Sequence, residues 1–287
     1  MALLSVSTWA LNRQLGPLRW TKWDPSAQRP VSHPEDRPQT LPLLSLPERL
    51  RAMGLQACEL GHFHLPAPES LDPAYAAEVR QAFAEAGVVL WSLLVDYGDL
   101  SSADPRRREA DQRYIAEWIR LGAALGARHV RAVAGEGSPD DPAAVDRAIA
   151  ALGTLADAGR AVGVGLLTEN FRRLCSTAAV CTAICRHLEG RVHLTADFGN
   201  FPRASRTASL AAILPYARSA HAKPECDRDG NLDGVEFGRL LDIAADAGFD
   251  GAYTAVYEGP GDQWDGVART ADLIRAHPRA LRAADPA

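Results

Sequence analysis

The stretch from residue 163 to residue 258 decides how this chain folds. Four short apolar runs punctuate it: GVGLLTE (163–169), RVHLTAD (191–197), ARSAHAK (217–223) and AYTAVYE (252–258). Glu169, Asp197 and Glu258 close three of them, and His221 stands two residues from the end of the other. These four side chains follow one another at intervals of 28, 24 and 37 residues, about one strand and one helix each. Alternation along a strand puts Leu167 with Glu169 on one face, and likewise Thr195 with Asp197, Ser219 with His221 and Lys223, and Val256 with Glu258. If the runs are neighbouring parallel strands, their carboxyl ends face one way and the four ionisable groups converge there.

The same punctuation extends upstream. Strands are expected at LSVST (4–8), LQACELG (55–61), VVLWSLL (88–94) and RHVRAVA (128–134), which brings the total to eight. Helical periodicity fills 73–87, 106–127, 142–163, 177–190 and 237–251. Asp72-Pro73, Asp104-Pro105 and Asp141-Pro142 each supply a capping carboxylate followed by proline at the first helical position. Eight strand–helix units at roughly 35-residue steps predict a single (β/α)8 TIM barrel spanning 1–287. A doubly wound open sheet is disfavoured, because no glycine-rich phosphate loop follows the first strand. Residues 10–45 are too long for an ordinary connection and contain Trp20, Trp23 and much of a proline-rich run. They are expected to form an irregular lid loop over the active face. Residues 278–287 read as a tail.

Bulk properties exclude several classes. An apolar content of 47% and a charged content of 23% describe an ordinary globular chain. The formal charge of −5 argues against a nucleic-acid or anionic-membrane partner, since neither attracts a net anion. Five cysteines without a paired framework fit a reducing, cytoplasmic setting. The start, MALLSVSTWAL, lacks a basic leader and is expected to be a core strand. Small-molecule chemistry is the expectation, with self-association into a homo-oligomer left open.

Three carboxylates and one imidazole gathered in a cavity form a hard donor set. One divalent metal ion suits it, Mn, Mg or Co first and Zn as a further option. Buried carboxylates without such a partner would be very costly. Around them, Lys223 shares the inward parity of His221, with a salt bridge to Glu225 as its alternative use. Arg131 on the fourth run is expected to line the cavity, and Trp9 to form an apolar wall for a sugar face. His62 and His64 in ELGHFHLP are expected at the same mouth as substrate contacts, with Glu59 orienting one of them.

The segments TENF, DFGNF, HAK and YEG, in that order and spacing, resemble the xylose isomerase-like TIM-barrel family of sugar isomerases and epimerases. That family also contains inosose dehydratase and the apurinic-site endonucleases. The resemblance implies that Glu169, Asp197, His221 and Glu258 hold one divalent metal, and that Glu169 and Glu258 also serve as the catalytic acid–base pair. The implied reaction is isomerisation or epimerisation of a sugar or polyol derivative, by proton transfer next to a carbonyl through a metal-stabilised enediolate. Dehydration of an oxo-sugar or oxo-inositol is the alternative. Two positions depart from the pattern: Asn200 stands where several relatives carry a histidine, and Phe171 where many read ENH. Asn200 remains a candidate substrate contact.

Overall fold

Why eight runs close on themselves is visible in their burial, which leaves almost no strand residue in contact with solvent. The computed structural model describes residues 2–281. Its barrel strands are β1 (Leu3–Ser7), β4 (Ala57–Gly61), β5 (Val89–Val95), β6 (His129–Ala132), β7 (Gly165–Glu169), β8 (Val192–Asp197), β9 (Ala217–Ala222) and β10 (Ala252–Ala255). They pair in parallel in the order β1-β10-β9-β8-β7-β6-β5-β4, and β4 returns to β1 to close the ring. Strands buried on both faces must be apolar nearly throughout, which is why they read as continuous runs. The chain is a single (β/α)8 TIM barrel.

Among the described residues, eight helices cover the outside: α1 (Leu46–Ala52), α2 (Pro73–Ala86), α3 (Pro105–Leu125), α4 (Pro142–Ala161), α5 (Ala178–His187), α6 (Arg206–Ile213), α7 (Gly234–Asp246) and α8 (Gln263–Ala276). Asp72, Asp104 and Asp141 each cap the following helix by accepting a backbone N–H two residues on, as the Asp-Pro pairs predict. α2 and α3 stop at Gly87 and Gly126, whose φ values of 64° and 81° are left-handed. α7 starts and ends earlier than the expected 237–251, because Asp233 caps it by accepting from the Glu236 N–H.

The barrel interior is layered. Leu3, Ala57, Val89 and Ala252, the first residues of their strands, pack with Trp91 and plug the amino-terminal end. Above them lie buried hydroxyls of Ser5, Ser92, Thr195, Ser219 and Thr254. The carboxyl-terminal layer carries the charged residues.

The segment after β1 departs from the expected irregular loop. It forms an antiparallel hairpin, β2 (Leu18–Asp24) and β3 (Arg29–Glu35), closed at its base by a bridge between Leu15 and Gln39. Its prolines hid it from a pattern reading, yet Pro30 and Pro34 are four residues apart on an edge strand, where a missing N–H is tolerated. The first residues of the expected tail are docked rather than trailing. Arg279 pairs with Asp242 and Asp246 on α7 at 2.8 and 2.7 Å, and Ala280 is buried. The remaining tail residues, 282–287, lie outside the described residues. No described helix is long and apolar enough to cross a membrane, and the five cysteines are unpaired.

Candidate active site

Glu169 ends β7, Asp197 ends β8 and His221 sits one residue before the end of β9. The register pairs Asp197 with His221, so the barrel's own stagger sets their proximity. Their ligand atoms all lie within 4.8 Å of one another, and all three residues are buried. His221 Nδ1 stands 3.5 Å from both Glu169 Oε1 and Asp197 Oδ2. Two donors bound at about 2.1 Å and about 90–110° apart lie about 3.0–3.4 Å from each other, close to the two 3.5 Å separations from His221, so the three could hold a small divalent ion. Burial opposes charge on His221, but Glu169 and Glu59 outweigh it and raise the ring well above the ordinary histidine range. An excess of negative charge therefore surrounds this ring.

Glu59, fully buried on β4, supplies the other contact. Its carboxylate accepts from His221 Nε2 at 2.7 Å and from Ser219 Oγ at 2.7 Å. The expectation that Glu59 orients His62 or His64 is thus corrected: it orients His221, leaving Nδ1 for the Glu169–Asp197 side. Burial acts against the Glu59 charge, yet His221 and Ser219 hold its carboxyl below the usual range. Asn170 clamps the neighbouring strand ends, accepting from the Asp197 N–H at 2.7 Å and donating to its carbonyl at 2.9 Å. Arg131 pairs with Glu169 Oε2 at 3.0 Å and with Asp96 at 2.5 Å, both deep in the mouth. Asn200 Nδ2 donates to Glu169 Oε1 at 3.3 Å.

Glu258 does not join the three-residue group. It lies three residues past β10 with a side chain 41% exposed, and its carboxylate is taken by two donors. Lys223 Nζ lies 2.5 Å from Oε2, and Trp9 Nε1 donates to Oε1 at 2.7 Å. Lys223 therefore pairs with Glu258 and not with Glu225, which pairs instead with Arg206 at 2.5 Å. Burial disfavours the Lys223 charge, but Asp197 and Glu258 prevail and raise it above the usual lysine range. Glu169, Asp197, His221, Arg131, Lys223 and Glu258 open into one cavity of about 320 Å³, with Glu59 and Asn170 behind them.

Arg131, Asn200, Lys223 and Trp9 line that cavity as expected, but His62 and His64 do not. A 3₁₀ turn (His62–His64) follows β4, and one-third of a turn per residue sends consecutive side chains in different directions, which strand parity cannot capture. Phe63 faces the cavity, while the two histidines are buried behind it. His62 Nδ1 lies 3.2 Å from the Leu94 carbonyl, and its Nε2 is 3.4 Å from Thr21 Oγ1 of the hairpin. Burial lowers His62 to about 4 and His64 to about 3. The His64 ring approaches the Thr8 backbone without a hydrogen bond of ordinary geometry. Sequence reading passed over Asp96, Phe63, Phe171 as a wall, and Arg172, all of which line the cavity. Asp96 falls just past β5 at the barrel's carboxyl face, and that position was the available signal.

The family model described as xylose isomerase-like TIM barrel matches residues 47–283. The chain belongs to this family. No curated protein matches it in sequence. Among solved structures it is similar to a xylose isomerase-like TIM barrel protein from Mycobacterium smegmatis in complex with magnesium, at 18% identity and TM-score 0.67, covering 98% of each chain. A D-psicose 3-epimerase studied with D-fructose aligns at 14% identity and TM-score 0.68, over 97% of this chain and 99% of that one. A probable 3-DHS dehydratase from Bacillus anthracis aligns at 11% and TM-score 0.69, over 96% and 99%. At such identities the likeness is one of fold.

Proposed function

We propose that the chain is a divalent-metal-dependent isomerase or epimerase of a sugar or polyol derivative, moving a proton at a carbon next to a carbonyl. One observation carries the reading: Glu169, Asp197 and His221 bring three ligand atoms within 4.8 Å at the floor of a cavity that also holds the Glu258–Lys223 pair. Epimerases among the structural neighbours agree with it.

In this reading Glu169, Asp197 and His221 hold the ion, with Glu258 within reach of the same cavity. A bound Mn, Mg or Co ion would supply Lewis-acid stabilisation of the negative charge that develops on the substrate's carbonyl oxygen. Glu258 takes the substrate proton. It is the more accessible of the two glutamates, and Trp9 aims it through the indole N–H. Glu169 is clamped by Arg131 and Asn200. Return of the abstracted proton from Glu258 to the neighbouring carbon would give isomerisation. Delivery to the opposite face by a Glu169 that already carries a proton, with the abstracted one left on Glu258, would give epimerisation. Lys223 holds Glu258 until a substrate oxygen replaces it as partner. The hairpin acts as a lid, with Trp20 on the cavity wall keeping water away.

The test is solvent exchange. Incubation of the manganese-loaded enzyme with ketoses in D₂O should place deuterium on the carbon next to the carbonyl, with otherwise unchanged product mass. A product lighter by one water and newly absorbing in the ultraviolet would instead establish a dehydratase. Neither change across a panel of ketoses, oxo-glycosides and oxo-inositols would refute both.

A further inference from the structure

The wall built by the segments after β1 and β4 and by the hairpin offers a ligand apolar carbon surface that the proton-transfer reading does not use. Trp9, Trp20 and Phe63 form a continuous aromatic cluster, with ring centroids 6.0 Å (Trp9–Trp20), 5.9 Å (Trp9–Phe63) and 5.1 Å (Trp20–Phe63) apart. All three line the cavity. The Phe63 ring folds back over Gly61, where a Cβ would collide with it, so the backbone makes room for this placement. Both indole N–H groups are already committed, Trp9 to Glu258 and Trp20 to Glu35 at 2.9 Å. What the indoles offer a ligand is therefore carbon surface without a free donor. The groups able to read hydroxyls, Asn200, Lys223, Glu258 and Arg172, stand among the other lining residues.

A sugar ring has one apolar face, which a single aromatic side chain covers; Trp9 and Trp20, backed by the buried Phe63, are more than it needs. The cavity's 320 Å³ lies within the range of about 300–1,000 Å³ found for pockets that enclose drug-sized ligands. Trp20 comes from the hairpin, which precedes the residues 47–283 matched by the family model, so this part of the wall lies outside that match.

We propose that the Trp9–Trp20–Phe63 wall is a subsite for a flat apolar group, and that the substrate is a glycoside or polyol carrying an aryl substituent rather than a free monosaccharide. The sugar half of this assignment rests on the function proposed above; the aryl half rests on the wall alone. An aromatic ring buried there gains apolar contact and edge-to-face partners, whereas a methyl group reaches neither.

The experiment compares methyl β-D-glucopyranoside, phenyl β-D-glucopyranoside and phenol on the manganese-loaded protein, by titration calorimetry and tryptophan fluorescence. Phenyl glucoside should bind about tenfold or more tighter than either of the others, and Trp20→Ala should erase that preference. Equal affinities for the two glucosides, phenol binding as tightly as phenyl glucoside, no saturable binding by any of the three, or a preference that survives Trp20→Ala would each overturn the proposal. Manganese affinity, measured separately in wild type and Trp20→Ala, keeps the two readings distinct. Its absence in the wild type sinks the metal enzyme, whereas retained manganese binding without aryl preference sinks only the subsite.

Discussion

His221 and His62 are both buried in the mouth of one barrel, and their surroundings push them in opposite directions. His221, on the β7–β9 side, is ringed by Glu169, Asp197 and Glu59 and is raised despite burial. His62, behind the aromatic side formed by β1, β4 and the hairpin, packs edge-on against Phe63 and Trp118 and falls to about 4, with burial the leading cause. Burial alone therefore does not set the state of a histidine here. The balance with nearby carboxylates decides it: Glu169, Asp197 and Glu59 surround His221, whereas the pull of Asp96 on His62 is outweighed by burial. The charged side is fixed by a lattice of hydrogen bonds running through Glu59, Asn170, Arg131 and Asn200. The aromatic side is held by ring packing and hairpin contacts such as Arg107 over Trp23 at 4.7 Å.

The sharpest way to break this contrast is to remove a donor from the charged side. Glu169→Gln and His221→Ala should each nearly abolish manganese binding by elemental analysis and calorimetry. Glu258→Gln should lower turnover by about 10²–10⁴-fold while changing manganese affinity by less than about tenfold. Equal loss of metal in all three would make Glu258 a full ligand and erase its separation from the group.

A smaller effect is expected one contact further out. Glu59→Gln keeps the shape but weakens the hold on His221 Nε2, and manganese affinity should fall about 10–100-fold with the fold intact by circular dichroism. An unchanged affinity would reduce Glu59 to a core residue satisfying Ser219.

The remaining effect belongs to the aromatic side and appears in stability against pH. His62 is neutral in the fold, and in the unfolded chain it takes up a proton below its ordinary value of 6.5. Unfolding therefore binds protons between about pH 6.5 and about pH 4, and stability falls as pH drops through that window. At about 1.4 kcal/mol per unit the contribution is at most about 3.5 kcal/mol. Melting temperature between pH 7 and pH 4.5 should decline less steeply in His62→Gln than in wild type; parallel slopes would show that His62 already titrates normally in the fold.

The strands were legible because burial on both faces demands apolar runs, and the Asp-Pro caps announced three helices outright. Glu169, Asp197 and His221 were legible for a related reason, since an ionisable group at the carboxyl end of such a run has only the mouth to face. Glu258 showed the limit of that rule. Its run reads as a strand to the end, but pairing stops at Ala255, and the last three residues swing it toward Lys223 and Trp9. Glu59 and the ELGHFHLP turn failed for reasons of distance and geometry. Glu59 finds His221 162 residues away, across the closed ring from β4 to β9, and a 3₁₀ turn sends Phe63 where parity had sent histidines.

Residue pattern by itself determined the eight barrel strands, five of the helices between them, and the convergence of Glu169, Asp197 and His221 at the mouth, because period and capping are local and solvent is excluded from both strand faces. Only the tertiary structure decided which carboxylate steadies His221, which glutamate stands free beside Lys223, and that a proline-rich segment would fold into a hairpin carrying Trp20 to the cavity. Those outcomes depend on ring closure and stagger, which bring together residues that share no sequence neighbourhood.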